Sequence, residues 1–187
     1  MLFREKGFTL IELMITIALL AILLFIAVPN FSGFVASSRL VAAKEMLIST
    51  ISFARSEAIK RGGAITVCRR SANADTCVGN GVGAVDEDWS DGWLVFQDEN
   101  DNDQVDANEL IKVYTDIADS TTIIFSRDDQ FEYSGLGLLN TASADDESFT
   151  ITDSGDADDG SVIFLRPTGR VRMCQEWQAS TAACADN

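Results

Sequence analysis

The sequence contains no histidine, only two prolines, and 14 basic residues against 29 acidic ones. Without histidine there are no Ser-His or Cys-His nucleophile pairs and no His-metal sites. The remaining residues form no recognisable motif for carboxylate or Ser-Lys catalysis, so we expect a protein that is not an enzyme. The net charge of −15 predicts a body that stays soluble outside a membrane and repels nucleic acid at long range.

Residues 8–28 form an apolar run that is interrupted by one charged side chain, Glu12. About 20 helical residues span the hydrocarbon core of a bilayer. A charge at the bilayer centre costs roughly 3 kcal/mol or more, so Glu12 needs a function or a partner. A secretory signal peptide is the simpler interpretation, but its apolar region is shorter, roughly 7–15 residues. A plain membrane anchor leaves Glu12 unexplained.

The segment from Lys6 to Glu12, Lys-Gly-Phe-Thr-Leu-Ile-Glu, resembles the start of type IV prepilins and type II secretion pseudopilins. The resemblance implies that a prepilin peptidase cuts between Gly7 and Phe8 and that the new amino group of Phe8 is methylated. It also implies a single-pass protein of the bacterial inner membrane, with its head in the periplasm before filament assembly. Our hypothesis is that Glu12 pairs with the terminal amine of a neighbouring subunit.

The chain then divides into a leader (1–7), a membrane-spanning half-helix (8–29), an amphipathic half-helix (30–61) and a β-rich head (64–187). The amphipathic half has small or aliphatic residues at helical spacing: Leu40, Leu47, Ile51, Ala54 and Ala58. Gly62 and Gly63 are expected to end the helix, since glycine readily adopts the left-handed conformation of a C-terminal cap.

After Gly63 the hydrophobic pattern has a period of two, which is typical of strands. Strands are predicted at 64–68, 92–96, 110–114, 122–125, 148–152, 161–165 and 171–174. Segment 145–159 is nearly all acidic and small residues, which predicts a solvated loop, although 148–152 also has strand character. We therefore expect an α+β pilin fold, with a long N-terminal helix packed on an antiparallel β-sheet head.

Further segments resemble the GspH/FimT family of minor pilins and pseudopilins. They are Phe53–Ala58, Lys60–Gly62, Gly92–Phe96 and Gly169-Arg170-Val171. The similarity implies a low-abundance subunit that initiates or caps a filament. Its partners would be other major or minor pilins, or pseudopilins. A type IV pilus and a type II secretion system both remain open.

The four cysteines form two close pairs, Cys68 with Cys77 and Cys174 with Cys184. Three pairings are possible from sequence alone. We favour the two local disulfides, each worth roughly 2–3 kcal/mol by the loop-entropy estimate. Zinc binding is the less favoured alternative, since neither pair has C-x-x-C spacing.

One acidic segment has oxygen-bearing residues at positions 1, 3, 5, 9 and 12 of a calcium-loop pattern: Asp98, Asn100, Asn102, Asp106 and Glu109. The sixth position is Asp103, where such loops have glycine, and the flanks are predicted strands. The favoured alternative is an acidic hairpin loop with no ion. We expect no cofactor, with calcium as the single candidate.

Three arginines lie close together near the C-terminus: Arg166, Arg170 and Arg172. Pro167-Thr168-Gly169 predicts a turn that places Arg170 and Arg172 on one face of the next strand. Family members that work in DNA uptake carry a similar Gly-Arg-x-Arg motif, which makes DNA a candidate partner. The alternative, favoured by the acidic composition, is pairing with carboxylates or contact with a neighbouring subunit.

Overall fold

The computed structural model describes residues 8–79, 87–100, 102–106, 108–115, 117–127, 129–141, 145–154, 156–174, 177–178 and 183–184. Of residues 26–30, 32, 156–158, 177–178 and 183–184 it describes the backbone alone.

Within the described residues, one helix precedes twelve strands. They are α1 (Leu10–Arg61), β1 (Ile65–Ser71), β2 (Ala74–Cys77), β3 (Glu87–Asp88), β4 (Trp93–Phe96), β5 (Leu110–Tyr114), β6 (Thr121–Phe125), β7 (Gln130–Tyr133), β8 (Glu147–Asp153), β9 (Asp156–Leu165), β10 (Val171–Met173), β11 (Trp177–Gln178) and β12 (Ala183–Cys184).

Helix α1 ends as its sequence predicts. Gly62 adopts a left-handed φ of 66°, and its amide donates to the Ala58 carbonyl at 2.9 Å. Lys60 and Arg61 lie in the last turn, where positive charge is favoured by the helix dipole.

The chain divides into two compact units, Met1–Val35 and Ala36–Asn187. Among the described residues, no helix contains a stretch that is both long enough and apolar enough to cross a membrane. The predicted division of the helix at residues 29 and 30 stays a prediction.

The head contains two five-stranded antiparallel sheets. In the first, β1 lies between β7 and β4, β5 pairs with the outer side of β4, and β2 extends the end of β1. The second has the order β10-β9-β8-β6-β3. Strands β11 and β12 form a separate two-stranded ribbon.

The core of the head forms between the upper part of α1 and the sheets. The predicted helix face is buried, with Leu47, Ile51, Ala54 and Ala58 each at most 1% exposed. One buried hydrogen bond joins helix and sheet, from Trp93 Nε1 to Thr50 Oγ1 at 2.9 Å. The α+β class and the antiparallel head are thus confirmed.

An aromatic cluster fills the space between the sheets. It consists of Trp89, Phe125, Phe131 and Phe149, with ring centroids 4.2–6.0 Å apart. Offset and edge-to-face pairs of this kind add to the stabilisation from burial.

The prediction of a solvated loop over 145–159 is wrong. Most of this segment belongs to the β8–β9 hairpin, and β8 alternates buried and half-buried residues along its length. The buried residues include acids. Asp153 is 2% exposed and accepts hydrogen bonds from Ser120 Oγ at 2.8 Å and Thr121 Oγ1 at 3.1 Å. A carboxylate can occupy an interior position when such partners satisfy it.

All seven predicted strands are present, although β9 begins at 156 and not at 161, and β1 ends at 71 and not at 68. Five further strands of the described residues were not predicted: β2, β3, β7, β11 and β12. Three of these, β3, β11 and β12, have only two residues. The fourth, β7 (Gln130–Tyr133), alternates polar and aromatic residues, but it is short and follows charged residues, so its alternation was overlooked.

Candidate functional site

The first turn of α1 is closed by Thr9 and Glu12. The Thr9 amide and hydroxyl donate to Glu12 Oε2 at 3.0 and 2.8 Å, and the Glu12 amide donates to Thr9 Oγ1 at 3.3 Å. This reciprocal arrangement is a capping box, which satisfies backbone donors that a helix start leaves free. The described residues provide no donor for Glu12 Oε1. Gly7 lies outside the described residues, and Phe8 directly precedes the cap.

The residues that follow the cap expose apolar side chains on every side of the helix. Phe8 is 86% exposed, Leu10 77% and Phe25 84%, and each large apolar side chain between them is more than half exposed. Soluble proteins rarely expose a continuous apolar surface of this size. A helix that is apolar all round is typical of a segment that is buried in a membrane or in an assembly.

Cys68 and Cys77 form a disulfide that joins β1 to β2, with their Cα atoms 5.6 Å apart. This confirms the first predicted pair and excludes zinc there. Cys174 is also disulfide-bonded. The side chain of Cys184 lies outside the described residues, so the second predicted pair stays a prediction.

The five residues of the calcium-loop pattern lie around one loop, between β4 and β5. Asp98 accepts the amides of Asn100, Asn102 and Asp103 at 3.2, 3.2 and 2.7 Å. Asp103 occupies the position where calcium loops have glycine, and it adopts the same left-handed backbone, with a φ of 57°. The sharp turn therefore forms without glycine.

The carboxylates of this loop are hydrogen-bonded within it. Glu109 accepts the amides of Glu99 at 3.0 Å and Asp106 at 2.8 Å, and Asp106 accepts both Asn100 and Asn102 Nδ2 at 2.8 Å. In the described part of the chain, no group of three or more His, Cys, Asp or Glu side chains is arranged to hold a metal. Calcium binding stays a prediction.

The three C-terminal arginines have different surroundings. Arg166 forms an ion pair with Asp146, at 3.4 Å from Nε to Oδ2. The Arg172 guanidinium lies 4.3 Å from the centre of the Phe164 ring. Arg170 is exposed and lies in the turn between β9 and β10.

This turn is attached to α1 by Arg55. Its Nε donates to the Gly137 carbonyl at 3.0 Å, and its Nη2 lies 3.4 Å from the Thr168 carbonyl. Arg55 thus connects the helix to two loops that are far apart in sequence. We name the contact of Arg55, Tyr133, Gly137 and Gly169 the Arg55 junction.

Glycine is required at position 169 of the Arg55 junction. Gly169 has a φ of 75°, and a Cβ there would lie 2.1 Å from the Gly137 carbonyl oxygen. Tyr133 is fully buried beside it, with its hydroxyl 3.5 Å from the Gly169 carbonyl oxygen. Burial raises the pKa of Tyr133 well above its ordinary value, so the hydroxyl keeps its proton. Gly169 and Arg55, which both lie in the segments that are similar to the GspH/FimT family, therefore have a structural role.

Next to the Arg55 junction an open groove of about 430 Å³ runs between α1 and the β9–β10 turn. Its lining residues are Ile51, Ser52, Arg55, Ser56, Gly169, Arg170 and Val171. The sequence does not reveal this groove, because its two walls are more than one hundred residues apart. The capping box was also missed, although Thr-x-x-Glu is a local signal that the sequence does contain.

Residues 43–182, which are 140 of the 187 residues, match the family described as Type II transport protein GspH. Residues 2–28 match the prokaryotic N-terminal methylation motif, which covers Gly7, Phe8 and Glu12. The first match spans the Arg55 junction, the groove and most of the head.

The chain is also similar to the type IV major pilin protein PilA of Myxococcus xanthus (strain DK1622), with 54% identity over 44 residues. That match covers 24% of this chain and only 20% of the length of the relative.

Among solved structures, the fold is similar to the type IV minor pilin FimU of Pseudomonas aeruginosa (strain PAO1) in two crystal forms. The first has a TM-score of 0.54 and 19% identity, and covers 77% of this chain and 92% of that chain. The second has a TM-score of 0.51 and 19% identity, and covers 75% and 94%. At this identity the likeness establishes the fold, a pilin-type helix and head. Because the family match covers most of the sequence, this chain belongs to the GspH family of pilin-like proteins.

Proposed function

We propose that this chain is a minor subunit of a pilin-type filament, which acts by assembly and not by catalysis. The precursor is inserted in the inner membrane with its head in the periplasm. Prepilin peptidase then cuts between Gly7 and Phe8, and Phe8 is methylated. The mature subunit joins other pilins or pseudopilins at the start or tip of the filament.

The exposed apolar helix from Phe8 to Phe25 carries this proposal. Burying an apolar side chain stabilises by roughly 25 cal/mol per Å² removed from water. Thirteen large apolar side chains from Phe8 to Phe25 are exposed, and the described residues do not cover them, so lipid or other helices must do so. A filament subunit uses both in turn, lipid before assembly and a helix bundle after it.

The charge within this apolar surface also fits assembly. The capping box engages Glu12 Oε2, and among the described residues no donor contacts Oε1, so Oε1 can accept from a neighbouring subunit. The cut at Gly7 creates a positive amine on Phe8. The amine of a neighbouring subunit would satisfy the carboxylate in an apolar bundle, where an unpaired charge is costly.

Glu12→Ala tests this role in cells that make the filament. We expect leader removal to proceed, while the protein is lost from the sheared filament fraction. Glu45→Ala is the matched control, since Glu45 is an exposed carboxylate further along the same helix. It should be cleaved and incorporated like the natural chain. Normal incorporation of Glu12→Ala would refute the pairing, and uncleaved protein in filaments would refute the processing step.

Deleting the gene and measuring both surface pili and protein secretion distinguishes a type IV pilus from a type II secretion system. Loss of surface pili with normal protein secretion assigns the chain to a type IV pilus. Loss of secretion with normal pili assigns it to a type II secretion system. Normal output of both would contradict a filament role.

DNA uptake stays an alternative prediction that depends on Arg166, Arg170 and Arg172. It requires salt-sensitive DNA binding by the full chain that is lost in an Arg170→Gln/Arg172→Gln variant. The contacts of Arg166 with Asp146 and of Arg172 with Phe164 occupy two of the three candidate side chains. Absence of binding at low salt would remove this alternative.

A further inference from the structure

We infer that the groove beside the Arg55 junction binds an acidic segment of a neighbouring subunit, with carboxylate side chains on Arg55 and Arg170. This inference rests on the proposed filament role. It assigns a specific contact surface between the C-terminal part of α1 and the β9–β10 turn, in addition to the exposed apolar start of α1.

The charges around the groove are the first argument. Acidic residues outnumber basic ones two to one in this chain. Ion pairs with carboxylates engage Lys60, Arg61, Arg69, Arg70, Arg127 and Arg166. Within the described residues, Arg55 and Arg170 have no such pair, yet both line one groove. Two guanidinium groups that line one groove without a carboxylate partner suit an acidic partner from outside the chain.

The groove is organised before a partner arrives. Arg55 is half-buried and fixed by the carbonyls of Gly137 and Thr168, and Gly169 holds the Arg170 turn against it. A guanidinium that is already ordered loses less conformational freedom when it binds a carboxylate. Ser52 and Ser56 lie on the same wall; the Ser56 hydroxyl donates to the Ser52 carbonyl at 2.7 Å, so Ser52 is the one of the two whose hydroxyl is left to donate to a partner.

An exposed apolar patch borders the Arg55 junction. A Cβ on Gly137 would lie 2.7 Å from Ile59 Cδ1, so this loop rests on Ile59. The neighbours of Gly137 are exposed, with Leu136 at 80% and Leu138 at 46%, and Ile59 itself is 54% exposed. Apolar anchors next to charged groups are typical of protein–protein contact surfaces. The partner segment should therefore combine carboxylates with aliphatic side chains.

These features favour a peptide over DNA. A nucleic-acid surface needs several cations along a phosphate backbone. Here Arg166 is paired, and the bulk of the head is acidic. The side chains of the apolar patch cannot donate hydrogen bonds to phosphates, whereas they can pack against aliphatic side chains.

Site-specific crosslinking in filament-forming cells tests the inference with the full chain. A photoreactive benzoylphenylalanine replaces Ser52 or, separately, Ser56, and the crosslinked peptides are identified by mass spectrometry. We expect crosslinks to an acidic segment of another pilin-like subunit. Arg170→Gln should lower their yield about tenfold, the scale of one lost interface charge pair. Arg166→Gln is the matched control, an exposed arginine of the same turn outside the groove, and it should leave the yield unchanged.

Near-UV circular dichroism of each variant establishes that its head is folded. Crosslinks to nucleic acid or to a segment without acidic residues would overturn the inference. So would no crosslink in filaments that contain the protein, or equal yields for both arginine variants. Absence of the protein from filaments is a separate result, which overturns the proposed function and this inference with it.

Discussion

Replacing Gly169 by alanine should destabilise the head through two effects that the structure separates. A left-handed backbone costs a residue with a Cβ roughly 1–2 kcal/mol. The new methyl group would also lie 2.1 Å from the Gly137 carbonyl oxygen, so that carbonyl has to move. Its movement breaks the hydrogen bond from Arg55 Nε, and a bond of this charged type contributes about 1.5–3 kcal/mol. The expected total is roughly 2.5–5 kcal/mol.

Gly62→Ala is the control that isolates the first effect. Gly62 has a φ of 66°, close to that of Gly169, but a Cβ there meets no atom within 4 Å. Only the backbone cost of roughly 1–2 kcal/mol applies. Since each kcal/mol shifts Tm by about 2–4 °C for a chain of this size, Gly62→Ala should lower Tm by about 5 °C and Gly169→Ala by about 10 °C or more.

The assay is thermal unfolding of the full chain in detergent micelles, followed by near-UV circular dichroism. This signal comes from the packed aromatic residues of the head, including the fully buried Trp89 and Trp93. Equal losses for the two variants would refute the close approach of Gly169 to Gly137. A loss for Gly62→Ala alone would also contradict the role of the Arg55 junction.

Three further predictions concern the head. Replacing both Cys68 and Cys77 by serine should lower the free energy of unfolding by about 2–3 kcal/mol, because the unfolded chain is no longer constrained; unchanged denaturant midpoints would contradict this. Calcium at 10 mM should leave Tm unchanged, because the carboxylates of the Asp98–Glu109 loop already accept hydrogen bonds. A site with a Kd of about 0.1 mM would instead add about 2.7 kcal/mol, a clear upward shift. The Arg61 guanidinium, with Lys60, holds the pKa of Glu57 below its ordinary value. The ionised Glu57 therefore stabilises the folded head fully above about pH 4.3, the pKa of an unfolded Glu, and this contribution is lost as pH falls through the lower pKa of the folded state. The stability difference between the natural chain and Glu57→Gln, measured by denaturant unfolding, should therefore shrink between pH 6 and pH 3, and a difference that grows would contradict the assignment.

The local features of this protein were determined by its sequence. The charged start, the apolar run with Glu12, the helix end at Gly62 and the Cys68–Cys77 disulfide each depend on residues close together in the chain. Capping, helical periodicity and short-loop disulfides involve few intervening residues, so their signals survive in the linear pattern. The same holds for the N-terminal methylation motif, which residues 2–28 match as one continuous stretch.

Tertiary structure alone decided the rest, because the contacts involved join distant residues. β7 pairs with β1 across about sixty residues, and Arg55 reaches carbonyls 82 and 113 residues away. The buried carboxylate of Asp153 accepts hydrogen bonds from Ser120 and Thr121, at the start of β6, and an acidic segment considered by itself cannot reveal these partners. The groove has the same origin, because Arg55 and Arg170 are more than one hundred residues apart in the chain and become neighbours only where the β9–β10 turn packs against α1.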